Sequence, residues 1–250
     1  MDDIENQKLL NAPLQEVIFE LLWEIGFDQQ GNPLDSEFEF AQGLFAKEAL
    51  KAFPQRKRTI PEGLPLKIYP KTIHQFWKGD NIWPVVQLGP GILAINDTEQ
   101  NYKWEKTFYP LIKNQIDNLE KSYGHGLIYK TVSLRYIDAV EISKENKEAL
   151  LEYVNSNFNV KLYNNFRITG SLSHLNLTQT FNIGNDTLVS LILNDGINKF
   201  NKPALIWQIH LVHNATKKKK DILLWADSAH KIASDLFKDI LKKEFYDSFK

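Results

Sequence analysis

Two charges sit inside the most strongly alternating apolar run of the chain, and any chemistry would begin with them. Residues 131–143 read T-V-S-L-R-Y-I-D-A-V-E-I-S. Side chains alternate across a strand with period two, so Val132, Leu134, Tyr136, Asp138, Val140 and Ile142 share one face. Arg135 falls on the other, beside Ser133, Ile137, Ala139 and Glu141. A buried unpaired charge is very costly, so Arg135 and Asp138 both call for partners. Guanidinium matches phosphate and carboxylate geometry, which makes Arg135 a candidate for anion recognition with Asp138 as its orienting carboxylate. The plain alternative is a buried structural ion pair, or two separate pairs with nearby helices. Residues i and i+3 of a regular strand face opposite ways, so a direct pair would need a β-bulge between them. Trp207 and His210, in a later apolar run, are further candidate contact residues, with core packing as the alternative.

Other motifs are weaker. His210 and His213 are three apart in a predicted strand and so point to opposite faces; no metal site is expected. H-E-x-x-H, G-x-S-x-G and G-x-x-x-x-G-K-[ST] are all absent, and no cofactor is expected. Gly89-Pro90-Gly91 reads as a hairpin turn, because Pro90 removes a backbone donor that a phosphate loop would use. Lys217, Lys218, Lys219 and Lys220 form a basic run. As a phosphate contact it would bind without reading sequence. It lacks interleaved aromatics and arginines, so nucleic acid is not the expected partner.

The chain has 250 residues, 43% apolar and 24% charged, enough for a sizeable core. Cysteine is absent, which excludes disulfides, thiolate metal sites and cysteine nucleophiles. The start, M-D-D-I-E-N-Q, has no basic stretch followed by an apolar one, and no apolar run is long enough to span a membrane. A cytoplasmic protein is expected. The net charge of −1 hides an asymmetry: residues 1–53 hold eleven Asp and Glu against three Lys, and residues 199–250 hold eleven Lys against six Asp and Glu. Such a split can steer a partner or pair the chain with its own copy.

The positioning elements follow from periodicity. Residues 14–25 alternate as a half-buried strand. A helix is predicted from Asp35, with Asp35 or Ser36 as cap, to Pro54. Short strands are predicted at 66–77, 82–88 and 92–96, then a helix over about 101–123 in which Pro110 should make a kink or mark a restart. After the strand at 131–143 come a helix at 144–154, strands near 159–168, 171–181, 187–197 and 203–214, and a last helix from about Asp227. Strands that do not alternate with helices favour an α+β fold, mainly antiparallel sheet with about three long helices packed on it. Residues 1–250 read as one compact unit. Its halves, 1–125 and 126–250, each suggest a β-α-βββ-α order, a two-fold pseudo-repeat sharing one core.

Several stretches resemble a sporadically distributed prokaryotic family with no established activity. They are N-A-P-L-Q-E-V-I-F-E-L at 11–21, V-Q-L-G-P-G-I-L-A-I-N at 86–96, Y-K-W-E-K-T-F at 102–108, L-R-Y-I-D at 134–138 and A-H-K-I-A-S-D-L-F at 229–237. The family's patchy occurrence, like that of phage-defence and toxin–antitoxin genes, implies such an operon as the setting. With no nucleophile, metal cage or poised acid/base pair in the spacing, the expected function is non-catalytic. It is that of a sensor or adaptor recognising a protein partner, its own copy or a small molecule. An enzyme with dispersed catalytic residues and a nucleic-acid accessory protein using residues 217–220 stay open as alternatives.

Overall fold

A computed structural model describes residues 9–60, 71–98, 102–124, 126–166, 172–198, 200–214 and 218–250. The alternating run near the start forms β1 (Leu14–Trp23), with Val17, Phe19, Leu21 and Trp23 buried on one face. A small hairpin, β2 (Gly26–Phe27) and β3 (Pro33–Leu34), leads into α1 (Phe38–Ala49), whose Phe38, Ala41, Phe45 and Ala49 recur at helical spacing and are buried. Then come β4 (Gln55–Arg58), β5 (His74–Trp77), β6 (Val85–Gly89) and β7 (Ile92–Asp97). A π-helix (Trp104–Phe108) runs into α2 (Tyr109–Tyr123). The second half holds β8 (Tyr129–Glu141), α3 (Lys144–Glu148), α4 (Leu150–Asn157), β9 (Asn176–Asn182), β10 (Thr187–Ile197), β11 (Pro203–His213), α5 (Lys219–Ile240) and α6 (Lys243–Asp247).

Nine strands form one antiparallel sheet in the order β4-β5-β6-β7-β1-β8-β11-β10-β9. The fold is therefore α+β with a mainly antiparallel sheet, as the sequence implies. β1 and β8 lie side by side at its centre, and each pairs on its far side with the last strand of its own half. The runs between them differ: the first carries one helix and a small hairpin, the second two short helices, so a β-α-βββ-α repeat is not established by this order. α1, α2 and α5 bury their apolar stripes against one face of the sheet. Trp207, Leu205 and Leu193 on that face form a second cluster with Val154, Phe158 and Leu241. The other face carries no helix among the described residues, and along β1, β8, β11 and β10 its side chains are partly exposed. β4 closes one edge with Arg56, Lys57 and Arg58, a charged border that resists further strand pairing.

Several boundaries differ from expectation for physical reasons. In the helix over 101–123 Pro110 marks the expected restart, in the first turn of α2, where its missing N–H leaves no bond unmade, but the preceding turn is π-helical. The helix at 144–154 breaks at Ala149 into α3 and α4. Residues 159–166 form no strand. α5 starts at Lys219, well before Asp227, because Ile222 and Ala226 extend the buried stripe of Ala229 and Ala233 backwards. The predicted strand at 66–77 shortens to β5, with residues 66–70 outside the described residues.

Asp35 does not cap α1; no side chain does. Its Oδ2 instead accepts from Tyr123 Oη at 2.6 Å, the Gly91 backbone N–H at 3.1 Å and Trp23 Nε1 at 3.3 Å. One carboxylate thus ties α2, the β6–β7 turn and β1 together. Gly91 sits at φ +68°, which the turn needs and a side chain resists. Charge-assisted bonds of this kind are each worth about 1.5–3 kcal/mol, and removing the acceptor takes one partner from each of three donors. Asp35→Ala is expected to lower stability by about 3 kcal/mol in chemical denaturation; a loss under 0.5 kcal/mol would show that the three bonds do not hold these elements.

Candidate functional site

The sheet separates the four predicted site residues into two pairs. Arg135 lies opposite His210 in the β8–β11 ladder, and Asp138 lies opposite Trp207. The ladder is regular from Val132 to Glu141, so no bulge joins Arg135 to Asp138. Arg135 and His210 project to the helix-free face. Asp138 and Trp207 project to the helix-covered face, where Trp207 is buried in the second cluster, stacked on Phe237 and edge-on to Phe158.

Arg135 is only half-buried, and its nearest polar neighbour is His210, with Nη2 3.4 Å from Nδ1. It makes no ion pair among the described residues. The expected buried pair with a carboxylate is therefore corrected: with no helix above it, the side chain stays partly exposed, although its Nε is buried without a hydrogen-bond partner. Burial, helped by the Arg135 charge, lowers the His210 pKa to about 4, so its ring is neutral near pH 7. The same open face carries a ladder that sequence reasoning missed. Gln75 Nε2 donates to Gln87 Oε1 at 2.9 Å, Gln87 Nε2 to Asn96 Oδ1 at 2.9 Å, and Asn96 Nδ2 to Glu16 Oε1 at 2.7 Å.

The basic run is also reassigned. Lys217 lies outside the described residues; Lys218 occupies the N-cap position of α5 without a side-chain capping bond, and Lys219 and Lys220 fall in its first turn. Lys219 is bound to Asp117 of α2, with Glu120 at 3.9 Å. That cation is neutralised within the molecule, which weakens the run as a phosphate contact.

The helix-covered face holds the more concentrated chemistry. Tyr136 and Asp138 on β8 meet Tyr102, just before the π-helix, and His230 on α5. Tyr136 Oη is 2.8 Å from His230 Nδ1 and 2.7 Å from Tyr102 Oη. The Trp104 ring stacks on His230 with centroids 4.3 Å apart, and its Nε1 donates to Asp227 Oδ1 at 3.1 Å. Asp227 is held in turn by Lys231 at 2.7 Å. Trp104 and Phe108 both face the core from this π turn, a feature frequent at functional sites. Burial lowers the His230 pKa to about 4, with the Asp227 carboxylate pulling the other way. A neutral ring accepting at Nδ1 carries its proton on Nε2. Burial raises both tyrosines well above their usual value, so they stay neutral.

Beside this relay is a cavity of about 150 Å³, lined by Pro13, Tyr102, Tyr136, Asp138, His230 and Phe237 among others. The β1–β8 register shifts between Leu14 and Glu16, directly opposite Asp138, and the Ala139 N–H donates to the Pro13 carbonyl at 2.9 Å. The irregularity is thus on β1 and does not join Arg135 to Asp138; bulges commonly re-aim side chains next to sites. Asp138 is 4% exposed and receives no hydrogen bond from a described residue. Burial alone raises its pKa to about 8.

No protein-family model and no curated protein matches the chain. Of the residues gathered here, sequence reasoning named Asp138 and missed Tyr102, Trp104, Tyr136 and His230 as a group. Y-K-W at 102–104 and A-H at 229–230 stood in the quoted stretches, yet nothing in their spacing joined them.

Two outcomes follow. Arg135→Ala should cost about 1 kcal/mol, since no buried carboxylate is orphaned and one long bond to a neutral ring is lost; urea denaturation measures it. The second concerns pH. His74, His210 and His230 have pKa values lowered to about 4, so unfolding takes up protons below about pH 6.5 and stability falls as pH drops from there towards 4. Asp138, raised to about 8, holds a proton that the unfolded chain releases near pH 4, so its contribution falls as pH rises from about 4 to 8; the three histidines outweigh it up to about pH 6.5, and above that the net stability falls. The expected profile peaks between pH 6 and 7 and loses about 2 kcal/mol by pH 8. Asp138→Asn should remove the alkaline decline and keep the acid one.

Proposed function

We propose that this chain is a non-catalytic sensor that binds a small molecule in the cavity beside Asp138. One observation carries this: a buried carboxyl without a protein partner faces an otherwise apolar, aromatic-lined space. Buried polar groups are normally bonded, and an orphan in a cavity invites a ligand that supplies the missing bond. The walls come from distant parts of the chain, namely residues 9–14, β8, β11 and α5. Filling the cavity would therefore fasten α5 and the leading segment to the sheet. That coupling suits a protein whose surface reports occupancy to a protein partner or to its own copy. The cytoplasm as compartment, and a defence or toxin–antitoxin operon as setting, belong to the proposal through the absent cysteines and the family resemblance. Among the described residues no helix is long and apolar enough to cross a membrane.

The test is a thermal-shift screen of small metabolites and extracts on the wild type and on Ser234→Leu, which fills the cavity from α5. A ligand at 100 times its Kd adds about 2.7 kcal/mol, a shift of roughly 5–10 °C for a chain of this length. Wild type should respond and Ser234→Leu, still folded, should not. Equal responses from both proteins would place the ligand elsewhere.

A further inference from the structure

We propose that the ligand of this cavity is a small organic cation, a primary ammonium group on a hydrocarbon body of about benzene size, seated on the Asp138 carboxylate. This rests on the sensor reading and names the ligand's chemistry.

Charge, hydrogen-bond polarity and size each point to it. Asp138 is the one carboxyl among the cavity's lining residues, and no lysine or arginine lines it. An anionic ligand would meet no counter-charge, and a purely apolar one would leave the carboxyl unsatisfied. With the His230 proton on Nε2, both tyrosine protons are used inside the relay, Tyr136 donating to His230 Nδ1 and Tyr102 to the Tyr136 oxygen. The polar wall therefore offers mainly oxygen lone pairs. An ammonium carries three donors and no acceptor, which complements such a wall. Aromatic rings at Tyr102, Tyr136 and Phe237 add the quadrupole that attracts cations. Leu9, Pro13, Ile209 and Ala233 supply the apolar remainder. At about 150 Å³ the space is of the size that holds benzene.

Without the amine, Asp138 is the acid near pH 7; entry of the ammonium ion expels that proton to solvent and leaves a carboxylate–ammonium pair. The other titratable groups facing Asp138 are Tyr136, Tyr102 and His230, with Asp97 beside Tyr102 and Asp227 beside His230. The tyrosines and His230 do not change charge between pH 6.5 and 8.5. Affinity for the ammonium should thus rise by about tenfold per pH unit from 6.5 to about 8, then level off.

The experiment is titration calorimetry of the full chain with benzylamine and butylamine, each beside its neutral counterpart, benzyl alcohol and butanol, at pH 6.5, 7.5 and 8.5. At least one amine should bind tenfold or more tighter than its alcohol at pH 8.5, with the stated pH dependence. Asp138→Asn, checked for folding by its melting temperature, should lose the preference for amine while binding the alcohol unchanged. Equal affinity for amine and alcohol, both lost in Ser234→Leu, would overturn the cationic ligand and leave the cavity reading standing. No binding of any of the four by folded protein would overturn the cationic ligand. With a metabolite screen that is also unresponsive, it would overturn the cavity reading too.

Discussion

The β1–β8 ladder is the seam on which both halves of the sheet depend. Within the nine-stranded sheet, β4 to β7 join the second half through β1, and β9 to β11 join the first through β8. The two strands exchange backbone bonds from Glu16 to Leu22 opposite Ile137 to Thr131, while Phe19 and Leu134, fully buried, oppose each other in the register. Non-local pairing of this kind must overcome chain entropy before it yields stability, so its apolar side chains have to be large. The helix-covered face supplies them, with Phe19, Trp23, Phe45, Phe76 and Phe108 in one continuous core.

The same seam sets where polar chemistry can sit. Its register slips at one end, opposite Asp138, and there the core gives way to a cavity and a relay of two tyrosines and a histidine. A carboxyl held there is neutral near pH 7 only because water is excluded from around it. A few ångströms away through the sheet, on the open face, Arg135 has no such constraint. The two faces of one strand thus carry opposite solvation regimes, and the same sequence motif contributes a hydrated cation to one and a desolvated acid to the other.

The tying interactions elsewhere follow a similar logic. Asp35 gathers donors from three elements at one end of the helix layer, and Lys219 of α5 meets the acidic residues of α2 at its own first turn. The acidic opening and basic close of the chain are therefore used partly within the molecule and are not simply two exposed faces.

Much of the fold was legible in the chain because it depends on local periodicity. Period-two alternation located β1, β8, β10 and β11 closely, and it placed Arg135 and Asp138 on opposite faces, because side-chain direction in a strand is fixed by parity alone. Helical spacing found α1, α2 and α5, though not the π turn before α2 or the true start of α5, where packing overrode the local signal. The site was mostly illegible. Tyr102, Tyr136 and His230 lie far apart in sequence, and only the packing of α5 and the π-helix on β8 brings their hydroxyl and ring nitrogen within hydrogen-bond range. The sequence by itself determined which residues could be buried and on which side of a strand. The tertiary structure alone decided which buried polar groups found partners, because that depends on distances between elements that no local pattern encodes.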